Sequence, residues 1–187
     1  MPTVSTNDLK NGMSLNLHEG LFAVVEFQHV KPGKGGAFVR TKLKNIRTGA
    51  VLERTYRADE KLDQALIDKR EMQFLYLDGD GYVFMDNSDY EQMTASKDAL
   101  GESANYLKEG DSAVLQMFEG DIVGVDLPAA VELTVSDTEP GIQGDRVSGA
   151  RKPATLETGH VLQVPLFVNT GDRIKVDTRT GDYITRA

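Results

Sequence analysis

A chain of 187 residues that is 40% apolar can bury real cores in one large or two to three small domains, which excludes a disordered tail. With no cysteine, disulfide frameworks, thiolate nucleophiles and cysteine metal sites are excluded as well. The formal charge of −8 would argue against nucleic acid if evenly spread, but residues 1–65 hold 10 basic and 7 acidic side chains (net +3), residues 66–127 hold 4 and 14 (net −10), and residues 128–187 hold 7 and 8 (net −1). A basic end of this kind suits phosphate, and an acidic middle is repelled from it and helps to set orientation.

The N-terminus, MPTVSTNDLKNGMSLNL, has neither the basic start nor the long apolar core of a signal peptide. No stretch approaches the roughly 20 apolar residues of a membrane span. Both observations predict a cytoplasmic protein with no membrane partner. Ser5, Thr6, Asn7 and Asp8 begin a helical turn that Asn11-Gly12 ends, and residues 14–17 alternate as a strand.

The next stretch, HVKPGKGGAFVR at 29–40, most needs a functional explanation. Pro32 fixes its own φ, and Gly33, Gly35 and Gly36 around Lys34 permit left-handed backbone and a tight reversal. The flanks 23–30 and 37–43 are rich in Val and Phe, as two antiparallel strands are. Half of such a protrusion stands about 13 Å clear of its sheet, at roughly 3.3 Å per extended residue. The competing interpretation is an ordinary surface hairpin whose lysine discourages edge pairing. Against it, the interval between Val30 and Leu52 holds Lys31, Lys34, Arg40, Lys42, Lys44 and Arg47 with no acid at all. A surface built for solubility alone mixes its signs. A strand at 50–56 completes a predicted small β-barrel.

A boundary follows near Asp63, where the charge balance changes sign. Residues 71–77, the turn Asp78-Gly79-Asp80-Gly81 and residues 82–86 form a hairpin pattern. The aspartates there lack the twelve-residue spacing, closing Glu and flanking helices of a calcium loop. Ser88, with Glu91 three residues on, reads as a capping box opening the helical region SDYEQMTASKDALGESANYL, which Gly101 interrupts. A third hairpin spans 113–127 around Glu119-Gly120-Asp121, so the segment is compatible with an OB-like barrel.

Pro128 marks the next boundary. Residues 131–136 alternate as a strand, GIQGDRVSGARKPA reads as a glycine-rich loop, and strands at 161–168, 173–176 and 183–185 follow. Pro165 argues for an edge or a bulge. His18, His29 and His160 are scattered without metal-ligand spacing and read as structural. No nucleophile elbow, P-loop or dinucleotide fingerprint is present, so no catalytic centre, metal or cofactor is expected. The basic run of 29–57 suits an RNA backbone, and its few aromatics favour structured RNA over single strands.

Several motifs in one order resemble those of bacterial elongation factor P, in its lysine-bearing branch. They are the loop His29-Val30-Lys31-Pro32-Gly33-Lys34-Gly35-Gly36-Ala37-Phe38-Val39-Arg40, the run Ser88-Asp89-Tyr90-Glu91-Gln92, and Lys152-Pro153-Ala154 with Thr158-Gly159, Val164-Pro165, Phe167-Val168 and Gly171-Asp172. The resemblance implies a mainly β chain: an SH3-like (KOW-type) barrel over 1–65, then OB folds over 66–127 and 128–187, in an L-shaped, tRNA-like outline. It also implies a non-enzymatic monomer that binds the ribosome, its RNA and the peptidyl-tRNA, and relieves stalling at consecutive prolines. Lys34 falls on the position that reaches the CCA end and is often lengthened by a lysine-modifying enzyme. Lys31, Arg40, Lys42 and Lys44 are the expected RNA-backbone contacts. Gly144, Asp145 and Arg146 fall on a loop near messenger RNA, where Arg146 replaces the usual Thr, and Tyr183 and Arg186 match the family's C-terminal Tyr and Arg. The alternative is a structured-RNA-binding module such as a ribosome-assembly protein. An enzyme using Lys34 as nucleophile comes third, because an exposed amine lacks the burial that lowers its pKa.

Overall fold

The computed structural model describes residues 1–141 and 149–187. Three antiparallel sheets account for most of them. The first contains β1 (Thr3–Ser5), β2 (Ser14–Leu17), β3 (Gly20–Val30), β4 (Phe38–Asn45), β5 (Val51–Arg57) and β6 (Lys61–Ala65), in the order β1-β6-β2-β3-β4-β5. Alternate residues of these strands point inward, so Leu15, Phe22, Val24, Val39, Leu43 and Leu62 make one core. Each fully buried side chain of this kind contributes roughly 1.5–3 kcal/mol. The predicted helical turn is a 3-10 turn at Thr6–Asp8, capped by the Ser5 hydroxyl, which accepts from Asn7 N. Two strands of this sheet, β1 and β6, were not predicted. β6 lies where the charge change suggested a boundary, yet Leu62 and Ala65 are buried and the strand joins β1 to β2.

The second sheet contains β7 (Asp68–Asp78), β8 (Gly81–Asp86), β9 (Gln92–Ser96), β10 (Ser112–Phe118) and β11 (Asp121–Asp126), in the order β11-β10-β7-β8-β9. Its hairpins turn at Gly79-Asp80 and Glu119-Gly120 as predicted. The helical prediction from Ser88 is corrected. The buried Asp86 carboxylate accepts from both the backbone N and the hydroxyl of Ser88 at 2.8 and 2.6 Å, and Tyr90 turns left-handed at φ 63°. These local bonds close a turn instead of a helix. The helix α1 (Lys97–Leu100) starts one strand later, where Ser96 caps Ala99 N. Gly101, at φ 56°, ends it as expected, and a 3-10 segment, Gly101–Tyr106, follows.

The third sheet contains β12 (Ala130–Thr138), β13 (Arg151–Leu156), β14 (Val161–Pro165), β15 (Arg173–Asp177) and β16 (Tyr183–Arg186), in the order β14-β13-β12-β15-β16. Pro165 ends the edge strand β14, as its missing N–H requires. β13 was also unpredicted, since its Arg-Lys-Pro start extends a glycine-rich run. Lys152 is nonetheless buried there, with its ammonium donating to the Glu139 carbonyl. Tyr106 enters this third core beside Leu133, Val164 and Val176.

By packing, the chain falls into two compact units, Met1–Arg70 with Leu115–Gly124, and Glu71–Val114 with Val125–Ala187. Within the first, Gly124 lies against Ile46, where an added Cβ would come within 3.1 Å of the Ile46 side chain. Among the described residues, no helix is long and apolar enough to cross a membrane, and no cluster of His, Asp and Glu could hold a metal ion.

Candidate functional site

Strands β3 and β4 pair from Phe22 opposite Asn45 out to Val30 opposite Phe38, and residues 31–37 join them. Pro32, Gly33, Lys34, Gly35 and Gly36 are all exposed. Only Gly35 uses the left-handed region, at φ 110°, while Gly33 and Gly36 do not. A side chain at Gly35 would approach Pro32 at 3.9 Å, so the ring lies against the reversal. At the loop's base, Ala58 N donates to the Ala37 carbonyl at 3.0 Å. Lys34 itself makes no ion pair or hydrogen bond among the described residues. Its ammonium stands free at the tip of a hairpin whose stem is paired on β5.

The basic residues behind the tip differ in kind. Arg40, Lys42 and Lys44 alternate along β4 and share its outer face. Arg40 lies opposite Gln28 and Thr55, with its guanidinium 5.6 Å from the Phe38 ring centroid. Lys42 lies between Glu26 and Glu53 and pairs with Glu26 at 3.3 Å. Lys44 faces Ala23 and Val51, and Lys31 is exposed beside the tip. Arg54 is held by Glu19 at 2.6 Å, which lowers the Glu19 carboxyl below its ordinary range and raises the guanidinium. Free cations therefore flank the tip, and neighbouring strands supply acids to the middle of the run. A shallow groove of about 300 Å³ lies over this face, lined in part by Gln28, Arg40, Thr55 and Lys42.

His29 is exposed and stands edge-on to Phe27, with ring centroids 5.6 Å apart, and His160 stands edge-on to Tyr106 at 5.4 Å. In the third sheet, Tyr183 packs partly buried against the core. Arg186 lies over the Phe167 ring at 5.0 Å from its centroid and 3.7 Å from Asp172. The sequence reading gave Phe167 no role of its own, although its position beside the buried Val168 was visible. Gly144, Asp145 and Arg146 lie outside the described residues.

Comparison with known proteins adds three family matches: the elongation factor P KOW-like domain over residues 5–62, its OB domain over 67–125 and its C-terminal domain over 131–186. Elongation factor P of Streptomyces coelicolor is 58% identical over 183 residues, covering 97% of each chain. That of Acidothermus cellulolyticus is also 58% identical, covering 98% of each, and that of Syntrophomonas wolfei is 56% identical, covering 98% of this chain and 99% of its own. Among solved structures, eukaryotic translation initiation factor 5A from Methanococcus jannaschii shares the fold, with a TM-score of 0.52 and 24% identity over 68% of this chain and 92% of that one. An eIF-5A family protein from Naegleria fowleri does so with a TM-score of 0.50 and 18% identity over 67% and 98%.

Proposed function

The chain belongs to the elongation factor P family of translation factors, and on that premise we propose that it promotes peptide-bond formation at consecutive prolines by holding the CCA end of the peptidyl-tRNA on the ribosome. The observation that carries this reading is Lys34, a cation without a partner among the described residues, on a loop outside every core. An unpaired ammonium offers three donors to phosphate or ribose oxygens. Covalent lengthening of this exposed amine by a modifying enzyme extends the same reach. Lys31, Arg40 and Lys44 follow the RNA backbone behind it, and Lys42 joins them once Glu26 releases it. Gly144, Asp145, Arg146 and Arg186 serve the messenger or tRNA end.

Proline's ring restricts the backbone, so reaction at consecutive prolines suffers from misplaced reacting groups. A factor that fixes the tRNA end recovers rate by orientation without donating a proton. Each 1.36 kcal/mol of preferential transition-state stabilisation is about tenfold in rate, so a few contacts at the tip suffice. The protein acts in this reading as a cytoplasmic monomer with no catalytic centre of its own.

Reconstituted translation on proline-run and proline-free templates tests the reading. Lys34→Ala should impair the first selectively and leave the second nearly untouched. Equal activity of both proteins on the proline template overturns the role of Lys34, and equal loss on both templates points to general RNA binding.

A further inference from the structure

Phe167 is 56% exposed, yet it is not on a loose segment. Its neighbour Val168 is fully buried. Around them, Val168 N donates to the Pro165 carbonyl at 3.2 Å, Asn169 N to the Asp172 carboxylate at 2.9 Å, and Gly171 N to the Val135 carbonyl at 2.8 Å. On the other side, Gly141 is packed so closely on the Leu166 carbonyl that no side chain fits there. A large aromatic ring is thus held out in water by a rigid segment, where burial would have been favourable by a few kcal/mol.

The guanidinium of Arg186 lies over this ring, and the Asp172 carboxylate lies 3.7 Å from it. The guanidinium carbon therefore sits over one face of the ring, and a carboxylate beside it offsets part of its charge. A guanidinium beside a carboxylate draws phosphate less strongly than a lone one but keeps its plane. A protein partner would need on the order of 1,000 Å² of complementary surface, whereas Phe167 is a single exposed ring with one guanidinium beside it. Unpaired nucleobases, by contrast, stack singly on aromatic rings and guanidinium planes. We infer that Phe167 and Arg186 form a stacking site for one unpaired base of single-stranded RNA. The site deepens the proposed function, on which it rests, by giving the third sheet a contact that depends on shape more than on charge.

The test uses full-length protein and a short single-stranded RNA carrying a fluorescent base analogue, with a duplex of equal length as control. Phe167→Ala should weaken single-strand binding by about fivefold to a hundredfold, the span expected for one lost stack. The loss should be equal at about 50 and about 200 mM salt, because no counterion-releasing contact is removed. Phe167→Tyr should retain affinity, and Arg186→Lys, which keeps the charge without the plane, should behave like Phe167→Ala. Unchanged unfolding midpoints for Phe167→Ala and Arg186→Lys establish that the fold is intact. The inference is overturned if Phe167→Ala binds like wild type, if the duplex loses as much, if Arg186→Lys is silent, or if wild type fails to bind the single strand. A wild-type protein that binds the single strand but gives no help on proline templates would overturn the proposed function and leave the stacking site standing.

Discussion

Two exposed loops of this chain present a cation in opposite ways. The loop of 31–37 is rich in glycine, carries Lys34 without any partner among the described residues, and is tied at its base by the bond from Ala58 N to the Ala37 carbonyl. The loop of 166–172 is pinned through the buried Val168 and a set of backbone bonds, and the cation above it is already held by a ring and a carboxylate. The first offers charge with freedom to adapt, and its contacts must weaken as salt rises. The second offers a ring held out on a pinned segment, and a base stacked on it as inferred above would bind with little dependence on salt.

The largest effect that would sharpen this contrast is on stability. Val168→Ala empties a fully buried position, so it should cost about 1–3 kcal/mol, read as a lowered denaturation midpoint with unchanged slope. Lys34→Ala should cost less than about 0.5 kcal/mol in the same experiment, as exposed substitutions do. A large loss at Lys34 would mean that the tip is not free. Next comes the backbone of the tip. Gly35→Ala forces an L residue to φ 110° and should cost about 1 kcal/mol while impairing synthesis on proline runs. Gly33→Ala, with ordinary φ and open space around it, should be near neutral for stability. Equal behaviour of the two would show that the reversal does not depend on Gly35. The smallest effect is electrostatic. Glu26→Gln should release Lys42 and steepen the log-log salt dependence of ribosome binding by roughly 0.7–0.9, one additional phosphate contact. Stability should scarcely move, because exposed pairs contribute about 0–1 kcal/mol. An unchanged slope would show that Lys42 faces no phosphate.

The parts of this architecture legible in the sequence were those set by neighbours in the chain. Pro32 and the glycines around Lys34 announce a reversal, and Gly79-Asp80 and Glu119-Gly120 announce tight hairpin turns, because backbone freedom at two or three residues decides them. Ser88 and Glu91 mimicked a helix start because the capping pattern is local, while the carboxylate that captures Ser88 comes from Asp86 in the preceding strand. β13 was hidden by Pro153 and the glycines before it, since its burial depends on pairing with β12 and β14. The site shows the same limit. The free Lys34 could be anticipated, but the acids beside Lys42 could not. A register shift between Val24 and Glu26 decides that Glu26 stands opposite Lys42, and no count along the chain reveals a register.

The close approach of Gly124 to Ile46 bears on how this chain can be cut and recombined. The family matches divide it between residues 62 and 67, whereas the compact unit that contains the Lys34 loop also takes in Leu115–Gly124. Unit of inheritance and unit of folding therefore do not coincide here. A fragment stopping near residue 65 leaves out part of its own unit, and a chimera that exchanges the first barrel with a relative inherits a mismatched seam unless 115–124 travels with it. Glycine at 124 keeps that seam tight, because even a Cβ there would meet Gln116 Oε1 at 3.0 Å and the Ile46 side chain at 3.1 Å, so any substitution must be met by a shift of those side chains.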